Sequence, residues 1–268
     1  MAAMLGPLSR ACHPFPTLVM TTLVTVLAWS VGWRLPAIVG LAVAVLLGQL
    51  SVGWSNDAVD ADLDARAGRL DKPTVAGLVA PRTLWRAAVI AVSACVVASV
   101  LVAGLVGGAF HIAFVAAAWA YNLGLSRTAW SWVPYAVAFA CLPFFVVVGL
   151  DGSWPPAWMV VVLALVGVSA HLANALPDLE RDGAAGVGGA AVRLGARRST
   201  VLVWVLLGTA TAVLAGWAVP DERWLAALAA GGYLAALCVG LLARSPAVLF
   251  RAVVAAAAID AVVLVLAS

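Results

Sequence analysis

The sequence predicts an all-α, polytopic membrane protein with nine transmembrane helices and two helical, Asp-rich loops on the cytoplasmic side. Three observations carry this prediction. Of 268 residues, 65% are hydrophobic and only 10% charged, whereas a soluble domain carries about a quarter charged residues; the mean hydropathy is +1.09. Apolar runs long enough for a bilayer core of roughly 30 Å recur nine times. Eight of the twelve acidic residues are gathered in two short windows, 56–72 and 174–182.

In chain order the runs fall near 17–32, 35–52, 83–102, 109–125, 130–149, 156–172, 200–218, 224–242 and 247–266. Arg10 and His13 precede the first run, and no small-residue cleavage site follows, so it reads as a retained helix and not a signal peptide. Trp33, Trp54, Trp85, Trp130, Trp132, Trp154, Trp158, Trp217 and Trp224 lie at or near run ends, as an interfacial aromatic belt does. Cys12, Cys95, Cys141 and Cys238 are scattered, without a CxxC pair, and read as small packing residues. Connections are short and rich in Gly and Pro, except two at about 55–82 and 174–198 that hold the acids.

Basic residues set the orientation. Nine spans place the N-terminus and the loops after spans 2, 4, 6 and 8 on one side. That side collects thirteen of the fifteen Lys and Arg residues, leaving only Arg34 and Arg223 opposite. By the positive-inside rule the N-terminus and both acidic loops are cytoplasmic and the C-terminus lies outside. The Ala/Val/Arg-rich composition with a single Lys suggests a GC-rich genome, and the expected location is a bacterial cell membrane. Nothing in the chain reads as a nucleic-acid surface.

The acidic windows carry the chemistry. Asn56, Asp60 and Asp64 stand at i, i+4 and i+8, so on a helix they share one face, drifting about 40° per step. Stacked carboxylates repel unless a cation lies between them, and Mg²⁺ takes oxygen ligands while keeping water or phosphate in its shell. Asn174, Asp178 and Asp182 repeat the spacing 118 residues later. Two such faces meeting over Mg²⁺ make a diphosphate site, with a cavity beneath whose floor is apolar. Asp57 and Asp62 fall off the first face and read as solvated or supporting residues, and Asp71 can pair with Arg69 or Lys72. Pro177 is expected to break or kink its helix. His171, one turn before Asn174, either touches a substrate or packs; His111 receives no role. Asp260 lies inside the last run and either faces a cavity or partner or reaches the outer interface.

These residues resemble the UbiA superfamily of intramembrane prenyltransferases. NDAVDADLD, from Asn56 to Asp64, matches the first family motif, and NALPDLERDGAAGVGGAAVRLG, from Asn174 to Gly195, resembles the second with its Gly-rich tail. YNLGLSR, from Tyr121 to Arg127, is similar to the Tyr…Lys/Arg segment between helices 4 and 5. Two departures stand out: the first basic residue after Asp182 is Arg193, and the family's Arg-Pro before helix 1 is His13-Pro14. The resemblance implies one domain over 1–268, nine helices bundled around a central cavity, and a Mg²⁺ cofactor. It implies metal ligation by Asn56, Asp60, Asp64, Asp178 and Asp182. Substrate contacts would come from Lys72, Arg66, Arg127, Tyr121, Asn174, Arg193 and His171. The partners would be a prenyl diphosphate, a small acceptor and the lipid bilayer, with no protein nucleophile needed. Ionisation of the diphosphate serves either prenyl transfer or cyclisation of the prenyl cation on itself, as in a membrane terpene synthase. A cation transporter is the non-enzymatic alternative, disfavoured because the acids lie in loops and not along the spans.

Overall fold

The computed structural model describes residues 2–184, 188–218, 221–242 and 245–267, and every regular element among them is helical. Residues 185–187 of the Gly-rich tail, Arg244 and Ser268 lie outside the described residues. Among the described residues seven helices are long and apolar enough to cross a bilayer, and a further apolar helix of 17 residues, Pro14–Ser30, precedes them. The chain is an integral membrane protein. Two compact units emerge, residues 1–123 with 145–153, and residues 124–144 with 154–268.

The first unit opens with α1 (Ala2–Ala11) and α2 (Pro14–Ser30), continues with α3 (Leu35–Val59) and the six-residue α4 (Ala61–Arg66), and then runs along α5 (Pro81–Leu123). It also takes in the last seven residues of α6 (Val133–Asp151). Helix α3 packs along α5 at small residues, where backbones approach closely without losing apolar contact. A Cβ on Gly48 would lie 2.9 Å from Val115, and one on Gly53 only 2.5 Å from the Cys12 carbonyl oxygen. The indole of Trp33 donates to the Val146 carbonyl at 2.9 Å, tying the start of α3 to α6.

The runs 83–102 and 109–125 form one 43-residue element, α5, interrupted at Gly104. Its φ of 68° and ψ of −178° belong to a region that only glycine occupies at little cost. The chain turns there and continues as helix. On the far side of the break, His111 is fully buried and bonds Ser99 at 2.7 Å.

The second unit contains the start of α6, α7 (Ala157–Ala175), α8 (Leu179–Ala184), α9 (Ala190–Val213), α10 (Arg223–Leu242) and α11 (Pro246–Ala267). Its core gathers Leu172, Leu176, Val203, Trp204, Leu207 and Val253. Polar side chains tie the helices inside it. Ser169 donates to the Val203 carbonyl at 3.1 Å and Tyr233 to that of Trp204 at 3.0 Å. Asp260 does not reach the interface: it is 2% exposed and accepts the Thr211 hydroxyl at 2.8 Å. A carboxyl at that depth is held by a partner on a neighbouring helix.

The sequence places both Asp-rich windows in loops; the structure carries them on helix ends. Helix α3 runs seven residues past Val52 and includes Asn56. The polar residues of that stretch stay helical because each finds a partner: Ser55 bonds the Val52 carbonyl, Asn56 meets Asn122, and Asp57 meets Lys72.

Candidate active site

The first window is built on the joint between α3 and α4. Asp60 leaves helical geometry slightly (φ −87°, ψ 0°), yet its N–H reaches the Asn56 carbonyl at 2.9 Å and the Asp64 N–H reaches the Asp60 carbonyl at 2.8 Å. The i, i+4 ladder thus continues through the joint and keeps the three side chains in register. The Asn56 amide donates to Asp60 Oδ2 at 3.2 Å. Asp64 is 8% exposed, and its Oδ2 is buried without a hydrogen-bond partner. Burial pushes its pKa up; Lys72 and Arg69 oppose that, and the charges of Asp60 and Asp57 add to it. A buried carboxylate oxygen lacking a donor is costly unless a cation supplies the missing interaction. The oxygen-only set of Asn56, Asp60 and Asp64 therefore fits Mg²⁺. Among the described residues no three His, Cys, Asp or Glu side chains stand close enough to enclose a metal by themselves.

Asp57 points elsewhere. It is 1% exposed and accepts from Lys72 Nζ at 2.6 Å, with His13 Nε2 at 2.9 Å. Lys72, read from sequence as a phosphate contact, thus stands on Asp57, its side chain 12% exposed. His13, which stands just before Pro14, closes the clasp in a left-handed conformation (φ 54°). Such a conformation costs of order 1–3 kcal/mol and is held by its surroundings. Arg69 grips Asp71 with two hydrogen bonds, 3.2 and 2.8 Å, and holds its carboxyl down at about 2. Arg66 bonds the Asp62 carbonyl at 3.2 Å and is exposed, as is Asp62 itself.

Above Asn56, Asn122 of α5 donates to the Val52 carbonyl and to Ser55 Oγ, both at 2.9 Å, and accepts from Asn56 at 3.3 Å. No spacing rule reveals the role of Asn122; the available signals are an amide at the end of an apolar run and its place in the YNLGLSR segment. Tyr121 beside it is half-buried.

In the second unit, Asn174 occupies the last turn of α7 and is exposed. Pro177 does not break the path outright: residues Leu176–Asp178 tighten into a 3₁₀ turn and α8 follows at once. Leu176, buried in the unit's core, fixes the phase of that turn, and Asp178 and Asp182 are each partly exposed. His171 is 4% exposed, lies 3.0 Å from Ser131 Oγ and rests against the Tyr135 ring. The Ser131 oxygen also accepts the Ala190 N–H at 2.9 Å, so this pair fastens the start of α9. His171 is thus held between Ser131 and the Tyr135 ring. Arg127 and Arg193 are exposed, and Arg193 folds back to donate to the Gly188 carbonyl at 2.7 Å.

Solved structures share this fold. A UbiA homologue from Archaeoglobus fulgidus bound to GPP and Mg²⁺ matches with a TM-score of 0.76 at 14% identity, over 97% of this chain and 99% of that one. A UbiA homologue from Aeropyrum pernix K1 matches in its apo form with a TM-score of 0.72 at 18% identity, over 93% and 97%. A digeranylgeranylglyceryl phosphate synthase matches with a TM-score of 0.70 at 11% identity, over 98% and 96%. No curated relative matches the sequence. The profile of the UbiA prenyltransferase family, however, matches residues 18–264. With that profile spanning nearly its whole length, the chain belongs to the UbiA prenyltransferase family.

Proposed function

We propose that this protein is a Mg²⁺-dependent intramembrane prenyltransferase acting as a single domain over 1–268. It ionises an allylic prenyl diphosphate and passes the prenyl group to a small acceptor, an aromatic or quinone precursor or a hydroxyl-bearing lipid precursor. The observation that carries the reading is the Asn56–Asp60–Asp64 oxygen face at the end of an apolar helix, with a buried Asp64 oxygen lacking a partner. Homologues of the same fold bound to GPP or DMAPP with Mg²⁺ support it.

In this reading Asn56, Asp60, Asp64, Asp178 and Asp182 hold Mg²⁺, which neutralises the departing diphosphate when bound. Arg66, Arg127 and Arg193 take phosphate oxygens, and Lys72 contributes an N–H beyond the one given to Asp57, since an ammonium carries three. Asn174 and Tyr121 border the diphosphate. The C1–O bond breaks with its electron pair on the leaving diphosphate, the acceptor attacks C1, and the acceptor then loses a proton. Apolar helices keep water from the allylic cation. Purified protein incubated with a panel of prenyl diphosphates and candidate acceptors, with and without Mg²⁺, should give Mg²⁺-dependent diphosphate release and a prenylated acceptor by mass analysis. A cyclised hydrocarbon formed without any acceptor would favour the terpene synthase reading instead.

The topology we propose counts α2 and both segments of α5 as spans, giving nine in a bacterial cell membrane, with cytoplasmic Asp-rich segments and an external C-terminus. After removal of the native cysteines, Asp62→Cys and Gly183→Cys should react with an impermeant thiol reagent only from the cytoplasmic side. Glu222→Cys should react only from the other. All three positions are exposed. Labelling of all three from one side would remove the nine-span count.

A further inference from the structure

Asn122 is 5% exposed inside α5, and its hydrogen bonds determine which way its amide faces. The Val52 carbonyl only accepts, so the Asn122 prong 2.9 Å from it is the NH₂. Ser55 spends its hydroxyl hydrogen on the same carbonyl at 3.0 Å. Its oxygen is then left to accept the second Asn122 hydrogen at 2.9 Å. Turning the amide over would set its oxygen against the Val52 carbonyl, so the oxygen is what faces Asn56.

Asn56 can meet an oxygen only with its own NH₂, 3.3 Å away. That NH₂ also lies 3.2 Å from Asp60 Oδ2. Both Asn56 hydrogens are then placed, and Asn56 Oδ1 is turned away from Asn122. Only that oxygen suits a hard cation.

We propose that Asn122 is a positioning residue for the metal–diphosphate site: its fixed carbonyl oxygen, together with Asp60 Oδ2, selects the amide orientation in which Asn56 presents its own oxygen to the cation. This rests on the prenyltransferase reading above and adds to it a residue 66 positions from the one it orients. Partners that orient a metal ligand in this way typically change metal affinity by about 10–100-fold when removed.

The test is a double-mutant cycle read by metal binding. Asn56→Asp supplies two equivalent oxygens that need no orientation, and beside an intact Asn122 its carboxylate would face another oxygen. Mn²⁺, as a paramagnetic stand-in for Mg²⁺, is titrated onto the purified full chain with a non-hydrolysable geranyl diphosphate and followed by electron paramagnetic resonance. Asn122→Leu, which keeps the branched side-chain shape, should raise the Mn²⁺ half-saturation about tenfold in the native background. In the Asn56→Asp background it should leave that value unchanged or lower it. Asn122→Ala gives the same comparison should leucine prevent folding. Equal weakening in both backgrounds would make Asn122 a packing residue and overturn the proposal, as would no weakening in the native one. Failure of the unmutated chain to bind Mn²⁺ with the diphosphate would sink the prenyltransferase reading itself, and this inference with it.

Discussion

Asp60→Ala should abolish diphosphate release, by about a hundredfold or more, in a protein that remains folded. Asp60 stands at the joint of α3 and α4, is partly exposed, and meets the Asn56 amide. Its removal takes an oxygen from the face proposed for Mg²⁺ without emptying any packed core position. Asp178→Ala should behave alike, because Asp178 is also partly exposed and follows the buried anchor Leu176. Asp62→Ala is the control: its side chain is exposed and off the Asn56–Asp60–Asp64 face, so activity should stay within about twofold. Steady-state pyrophosphate release at saturating Mg²⁺, alongside thermal unfolding in detergent, separates the cases. Equal loss from all three would mean that the face does not hold the metal.

The second large effect concerns stability. Lys72→Met leaves the Asp57 carboxylate, 1% exposed, with only His13 beside it. Breaking a buried ion pair from one side costs about 3–5 kcal/mol, since a charge remains without its counter-ion. His13 should soften that toward the lower end. Adding Asp57→Leu removes the stranded charge and should recover most of the loss, because an apolar pair of similar volume is often as stable as the buried ions it replaces. The measurement is the thermal unfolding midpoint of the unmutated chain, these two variants and Asp62→Ala in one detergent. If Lys72→Met alone shifts it no further than Asp62→Ala does, the clasp contributes nothing to the fold.

The register of the first acidic window was legible in the sequence because a helix has a fixed step. The spacing of Asn56, Asp60 and Asp64 translates directly into one face, and the ladder through the α3–α4 joint preserves it. The end of α3 was not legible. Hydropathy falls after Val52, but helix ends follow hydrogen bonding, and Ser55, Asn56 and Asp57 all find partners within the unit. The contacts of Asn122 and His13 stayed hidden for a related reason. Each acts on a residue 66 or 44 positions away, and only the packing of α3 against α5 and the α1–α2 turn brings them within reach. Pro177 shows the limit of a local rule. It forbids an ordinary α-turn, yet Leu176 buried in the core permits a 3₁₀ turn that carries the segment on.

The continuity of α3 has one more consequence. Asn56 rides on the last turn of a rod that begins at Leu35, 21 residues and about 32 Å away. A lever of that length converts a tilt of about 10° into a sideways swing of about 6 Å at its tip. Transmembrane helices answer changes in bilayer thickness largely by tilting. The lipid around α3 is thus mechanically geared to the turn that carries Asn56.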